Sequence, residues 1–352
     1  MNLFAEADRS KLVGPPKRFD RESLRKEHGD WGHQLLRAAV AIEMLTQITQ
    51  RDQRVLLKGG TLLQNSLEWP PYRASVDLDL EVADTQDLRV ALTRIEDAFS
   101  DSEIRLTVRE SPVAGFTGHI QFPRASGPDW DLRVDVLEND RWPSGSMPWQ
   151  DIPSPWDDGE LPMAAPPETR AAQKLLLAAD PPYGRDLESH LGRQNFVKDL
   201  FDLYCLGEEP LDSQRVLEAA REDVERKSTY GDEDFQFDTI LDGALESYRH
   251  FAHPPVDDGS LRGSLWRAYG RVQGGIRIPY TRAELRTSAG CAHHAVESIQ
   301  RGELDWEDTW RPAVSGEPRS SWVGKSIQPA VDVSDGFGPT KGPLEAWAQF
   351  EP

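Results

Sequence analysis

The sequence predicts an α+β protein with a mixed sheet and flanking helices in its first half, followed by a helical lobe. Three observations lead there. Strand-like and helix-like apolar spacings interleave up to about residue 140, residues 141–167 are dense in Pro, Trp, Gly and Asp, and from Pro166 onward the spacing is almost wholly helical. They divide the 352 residues into an α/β domain with N-terminal helices over 1–165, a helical domain over 166–311 and an irregular tail over 312–352.

The elements follow in order. Leu24, Trp31, Leu35, Val40 and Leu45 recur at helical spacing and predict one or two helices within residues 21–50. Arg54 to Lys58 forms a short strand, Gly59-Gly60 a tight turn, and Thr61 to Leu67 a helix with Thr61 as its N-cap. A second strand covers Ser75 to Val82, and a helix Thr85 to Phe99. Three more strands occupy Ile104 to Glu110, Gly118 to Pro123 and Asp131 to Glu138. The second half reads as helices near 167–179, 194–206, 213–227, 237–251, 260–273 and 281–301.

Composition removes several classes of function. A hydrophobic fraction of 38% with 28% charged residues is that of a soluble globular chain, and no apolar run reaches the roughly 20 residues needed to span a bilayer. Met1 to Pro16 has no stretch of signal-peptide type, so a cytoplasmic protein is expected. Cys205 and Cys291 are too few for a disulfide framework or a cysteine zinc site, and are expected to be idle or buried thiols. A net charge of −20 disfavours nonspecific coating of nucleic acid, though it leaves room for a local basic patch or for a protein partner with a basic surface.

Val76 to Val82 alternates apolar and acidic residues strictly, so a strand sets Val76, Leu78, Leu80 and Val82 on the core face and Asp77, Asp79 and Glu81 on the other. Neighbouring carboxylates repel, and a divalent cation with a preference for oxygen, such as Mg²⁺ or Mn²⁺, relieves that repulsion. An amphipathic edge strand with a solvated acidic face is the plain alternative. The context favours the cation, because a strand, a Gly-Gly turn opening a helix, and an acidic strand together bring backbone N–H groups to a triphosphate beside its metal. Gly59 and Gly60 admit the phosphates, Thr61 and Ser75 add hydroxyl donors, and Lys58 and Arg73 add positive charge.

Leu57-Lys58-Gly59-Gly60-Thr61-Leu62-Leu63, followed by Arg73-Ala74-Ser75-Val76-Asp77-Leu78-Asp79-Leu80, resembles the AbiEii/AbiGii nucleotidyltransferase family. That family supplies toxins of abortive-infection phage defence and of type IV toxin–antitoxin systems. The resemblance implies a DNA polymerase β-like nucleotidyltransferase fold, an NTP substrate, metal ions held by Asp77 and Asp79, and a possible antitoxin partner. It also implies a lysine after an Ala-rich helix start, matched by Lys174, and an aspartate in a Lys-Asp-x-x-Asp-Leu stretch, matched by Asp199 with Asp202 beyond it. The match spans roughly residues 55 to 205.

Read from the residues alone, Lys174 lies near the apolar face of its helix and must snorkel or meet an anion, for which a triphosphate oxygen is favoured. Asp199 and Asp202 share a helix face and need partners; a salt bridge to Lys174 or Arg193 is as eligible as a catalytic role. The polymerase β-like fold that the resemblance implies calls for a third carboxylate on a neighbouring strand, where Asp131 and Asp135 are equally placed by alternation. The resemblance, with its acid flanked by β-branched residues, selects Asp135.

Ser260 to Ser288 holds Arg262, Arg267, Arg271, Arg277, Arg282 and Arg286 against the single acid Glu284, with Trp266, Tyr269 and Tyr280 interleaved. Arginines among aromatic rings suit an RNA with unpaired bases. Ion pairing with the acidic stretch Glu208–Asp258 is the competing explanation. Some members of the family modify the 3′ end of tRNA, so the resemblance implies a toxin that transfers a nucleotide from an NTP to tRNA and inhibits translation. The alternatives are nucleotidylation of a protein or small-molecule hydroxyl, or a regulatory protein that binds nucleotide without turnover. His293 and His294 read as ordinary helix residues.

Overall fold

Alternation of leucine with acid gives the strand Asp77–Val82 (β2) two unlike faces: Leu78, Leu80 and Val82 are buried at 2% exposure or less, while Asp77 and Asp79 on the opposite face stay partly open. The computed structural model describes residues 55–59, 77–82, 105–110, 115–122, 130–138, 163–230, 234–252, 259–272 and 281–314. The helices expected within 21–50, at 61–67 and at 85–99 lie outside these residues, as does the chain beyond Val314.

Around β2 the strands Val55–Lys58 (β1), Arg105–Glu110 (β3), Gly115–Phe122 (β4), Trp130–Glu138 (β5) and Met163–Ala164 (β6) complete a sheet in the order β3-β4-β5-β2-β1-β6. β2 pairs antiparallel with β1 and parallel with β5, and β6 runs parallel to β1, so the sheet is mixed. One face carries Leu57, Leu78, Leu80, Val134 and Val136 at 5% exposure or less, and each such burial contributes about 1.5–3 kcal/mol. The other face carries the polar residues of the site.

Two strands depart from the sequence reading. β4 begins at Gly115 instead of Gly118, because Gly115 and Gly118 interrupt the apolar pattern that marks a strand. β6 lies in the stretch read as loop; two residues at a sheet edge are too short to show a period.

The chain divides into two compact units at Pro166 and Pro167, and the second is helical throughout its described residues. Its helices are Pro167–Leu176 (α1), His190–Gly207 (α2), Ser213–Tyr230 (α3), Phe237–Ala252 (α4), Leu261–Val272 (α5), Arg282–Arg301 (α6) and Trp306–Val314 (α7). Their ends follow local chemistry. Ser189 caps α2 by accepting from Gly192 N, Thr281 and Glu284 form a reciprocal capping box at α6, and Gly302 ends α6 with φ 71°.

Phe196 lies 5.6 Å from Tyr248 and 5.7 Å from Phe251, whose ring meets Trp266 at 4.9 Å, so α2, α4 and α5 share an aromatic core. The helix α7 was not expected, and it runs into the segment read as tail. Its Trp306 and Trp310, one turn apart, are fully buried with ring centroids 5.3 Å apart. Asp305 starts it by accepting from Asp308 N at 3.0 Å. No helix among the described residues is long and apolar enough to cross a membrane.

Candidate active site

The register of the sheet builds the site in the first unit. Asp79 stands directly opposite Lys58 on β1 and Asp135 on β5, and Asp77 stands opposite Arg133. Asp77, Asp79 and Asp135 therefore share the polar face, two of them on one strand and the third beside it. Register sets Asp135 directly beside Asp79, whereas Asp131 stands four residues earlier on β5, opposite Gln121 of β4, so register distinguishes two aspartates that alternation leaves equal.

Asp135 is held from two sides. Thr117 Oγ1 on β4 donates to its Oδ1 at 2.8 Å, and Arg133 Nε donates to the same atom at 2.9 Å. Neither partner follows from the expected elements: Thr117 precedes the strand expected from Gly118, and only alternation, which sets Arg133 on the same face two residues from Asp135, signals the second.

Glu81 corrects the picture of a uniformly solvated acidic face. It is 3% exposed and its carboxylate pairs with the ammonium of Lys58. Lys58 is thus neither a solvated strand-end lysine nor a cation standing apart from the acids. At the next residue the chain turns with φ 67° at Gly59, and a Cβ there would fall 1.7 Å from Asp79 Oδ2. Only glycine lets the turn approach that carboxylate so closely. Gly60, Thr61, Arg73 and Ser75 lie outside the described residues.

Among the described residues no group of three or more His, Cys, Asp or Glu side chains forms a cage for a metal ion. The carboxylates nevertheless fit Mg²⁺, which commonly takes one or two protein carboxylates and completes its shell with substrate phosphates and water. The Gly59 backbone lies directly against the Asp79 carboxylate, so the turn and that oxygen donor occupy one place.

In the helical unit Lys174 of α1 bridges two aspartates of α2, with Nζ 2.5 Å from Asp199 Oδ1 and 2.8 Å from Asp202 Oδ2. Arg185, in the connection between those helices, donates from Nε to Asp199 Oδ2 at 2.8 Å and from Nη2 to Oδ1 at 3.3 Å. Burial pushes the Asp199 carboxyl up, but Lys174 and Arg185 outweigh burial and hold it below its ordinary value. Tyr248 donates to Leu175 O at 2.9 Å, and its hydroxyl is driven well above the usual range by burial and then by the charge of Asp199.

The salt bridge that the sequence offers as an alternative to a catalytic role for Asp199 and Asp202 is present with Lys174. Arg193 instead donates to the carbonyls of Leu187 and Glu188 at 2.8 and 2.6 Å. Arg185 was not anticipated, since no periodicity marks a single arginine in a Pro- and Gly-containing connection.

Of the four arginines expected to contact RNA, the three within the described residues share the helix α5. Arg267 is exposed on α5 and donates to Ser264 Oγ at 2.9 Å; Arg262 is half-buried on the same helix. Arg271 also lies on α5, and Arg277 lies outside the described residues. Trp266 and Tyr269 are 6% and 5% exposed and pack on each other at 5.9 Å, so these two rings serve the helical core and are not laid open for base stacking. Cys205 and Cys291 are buried free thiols.

Comparison with known proteins adds to this geometry. No curated protein matches the chain. Among solved structures, it aligns with MenT4, nucleotidyltransferase toxin Rv2826c from Mycobacterium tuberculosis H37Rv, at 16% identity and a TM-score of 0.40, over 81% of this chain and 99% of that one. A family model described as nucleotidyl transferase AbiEii toxin, type IV TA system, matches residues 44–265, more than half of the chain and including both aspartate clusters. The chain therefore belongs to the AbiEii family of nucleotidyltransferase toxins of type IV toxin–antitoxin systems.

Proposed function

We propose that this nucleotidyltransferase moves a nucleotide from an NTP to the 3′ end of tRNA and so inhibits translation, using Asp77 and Asp79 to hold divalent metal. The observation that carries the reading is the sheet register, which sets Asp77, Asp79 and Asp135 on one face with the Gly59 turn against Asp79. Mg²⁺ or Mn²⁺ bound there would clamp the triphosphate and acidify the attacking hydroxyl.

The chain's own residues have separable tasks. Gly59, with Gly60, Thr61 and Ser75, cradles phosphates, and Arg73 neutralises charge that develops on them. Lys58, paired with Glu81, adds positive charge beside Asp79. Asp135, oriented by Thr117 and Arg133, accepts the proton as the acceptor oxygen bonds to the α-phosphorus and the bond to the leaving pyrophosphate breaks. In the helical unit Lys174 contacts the triphosphate, and Asp199 orients it or receives the acceptor proton in place of Asp135.

The acceptor rests on the family and on the arginines of residues 260–288, since burial of Trp266 and Tyr269 removes part of the stacking argument. An antitoxin partner follows from the type IV system to which the family belongs. The test is incubation of the protein with each labelled NTP, Mg²⁺ and total tRNA, beside Asp79→Ala. Label in tRNA with the wild type alone is the expected result. Label in protein transfers the reading to a protein hydroxyl, and unchanged NTP after long incubation supports nucleotide binding without turnover.

A further inference from the structure

Two buried aspartates facing one lysine make a cluster that is one positive charge short of balance, and uncompensated charge in a protein interior is costly. Asp199 is 3% exposed and Asp202 fully buried, and Lys174 bridges them. Arg185 supplies the missing charge and does so with a fork, its Nε and Nη2 reaching different oxygens of Asp199. With its side chain 28% exposed, Arg185 is also the member of the cluster most open to solvent.

The backbone that carries Arg185 is tethered on both sides. Arg185 N donates to Leu177 O at 2.9 Å, and Gly184 N donates to Asp180 O at 3.1 Å. A Cβ at Gly184 would fall 2.1 Å from Ala179 O, so the close return of the chain onto the end of α1 requires glycine. Next to it, Tyr183 donates its hydroxyl to the buried Asp223 at 2.7 Å, and Lys227 lies 3.9 Å from the centre of the Tyr183 ring. On the far side, Arg193 holds the carbonyls of Leu187 and Glu188. A side chain carried by so fixed a connection meets its partner already oriented.

We propose that Arg185 is a positioning residue for nucleotide transfer: by gripping both oxygens of Asp199 it fixes the carboxylate that, together with Asp202, sets the place of Lys174. This rests on the proposed role of Lys174 and Asp199 in the reaction. The charged and titratable groups around Asp199 are Lys174 on α1, Arg185, Asp202 on α2 and Tyr248 on α4, and of these Lys174 and Arg185 favour its ionised form. Loss of Arg185 therefore raises the pH below which Asp199 ceases to act as a carboxylate.

Two variants of the full chain test this, Arg185→Gln and Arg185→Lys, each read by the pH profile of transfer and by carbon-detected titration of labelled aspartates, with Asp199→Asn to assign the signal. Arg185→Gln is expected to lower kcat by about tenfold to a hundredfold with a smaller change in KM, and to move the acid limb to higher pH together with the Asp199 titration. Arg185→Lys restores charge without the fork, so the limb returns toward the wild-type position while kcat stays reduced.

An unmoved Asp199 titration in Arg185→Gln overturns the proposal. So does a titration that moves while kcat and the acid limb stay at wild-type values, because Arg185 is then only a charge balance for the fold. If the wild type transfers nothing, the reading of function falls along with the positioning role, whereas the titration still decides whether Arg185 governs Asp199.

Discussion

Lys58 stands opposite Asp79 across the β1–β2 ladder, yet its ammonium pairs with Glu81, the diagonal neighbour. Both side chains are largely buried, at 12% and 4% exposure, so removing one strands the other. Lys58→Met is expected to destabilise the sheet unit by about 3–5 kcal/mol, whereas Lys58→Met combined with Glu81→Leu recovers most of that loss. Denaturant unfolding of both variants measures the difference, and a double variant no more stable than Lys58→Met would contradict the expectation. One residue further on, Gly59→Ala meets two obstacles at once, a φ of 67° and the Asp79 carboxylate. Transfer is expected to fall about a hundredfold, because Asp79 must move for the methyl group to fit. Far-UV circular dichroism should stay close to wild type, separating this local displacement from unfolding.

Helix α7 depends on a glycine of another helix. A Cβ at Gly207, the last residue of α2, would lie 2.6 Å from Trp310 Cε3, and the buried indole has no flexible end that can swing aside. Gly207→Ala is therefore expected to cost about 1–3 kcal/mol, seen as a lower unfolding midpoint with loss of the native tryptophan fluorescence. The junction of α1 with α2 carries a pH dependence of definite sign. Asp199 titrates below its ordinary value of 3.8 in the folded chain, so its contribution to stability is complete above that value and is lost as pH falls through the lowered one. Asp199→Asn should flatten that part of the stability profile in acid, and a curve parallel to that of the wild type would contradict the assignment.

At the scale of the whole molecule, periodicity made most of the architecture legible. The α+β class, the strands β1 to β5 and the helices α1 to α6 followed from apolar spacing, and the Asp77–Asp79 face followed from strict alternation. What escaped was too short or too isolated to read: the two-residue β6, the nine-residue α7 with its single pair of tryptophans one turn apart, and the lone Arg185. Pairings across the sequence were equally invisible, so that the place of Asp135 beside Asp79 and the burial of Glu81 on Lys58 emerged only in three dimensions. The exposed arginine on α5 is similarly informative in context, since a chain of net charge −20 repels RNA except where positive charge gathers. Arg262→Ala with Arg267→Ala is expected to raise the KM for tRNA several-fold and to leave NTP binding unchanged; a loss of NTP binding would place these residues elsewhere in the scheme. The central claim is that the aspartate face of the sheet takes a metal-bound nucleotide. Equilibrium binding of labelled NTP with and without Mg²⁺, by the wild type and by Asp77→Asn with Asp79→Asn, tests it most directly. Mg²⁺-dependent binding that disappears in the double variant is the predicted result, and binding of equal strength by both proteins would contradict it.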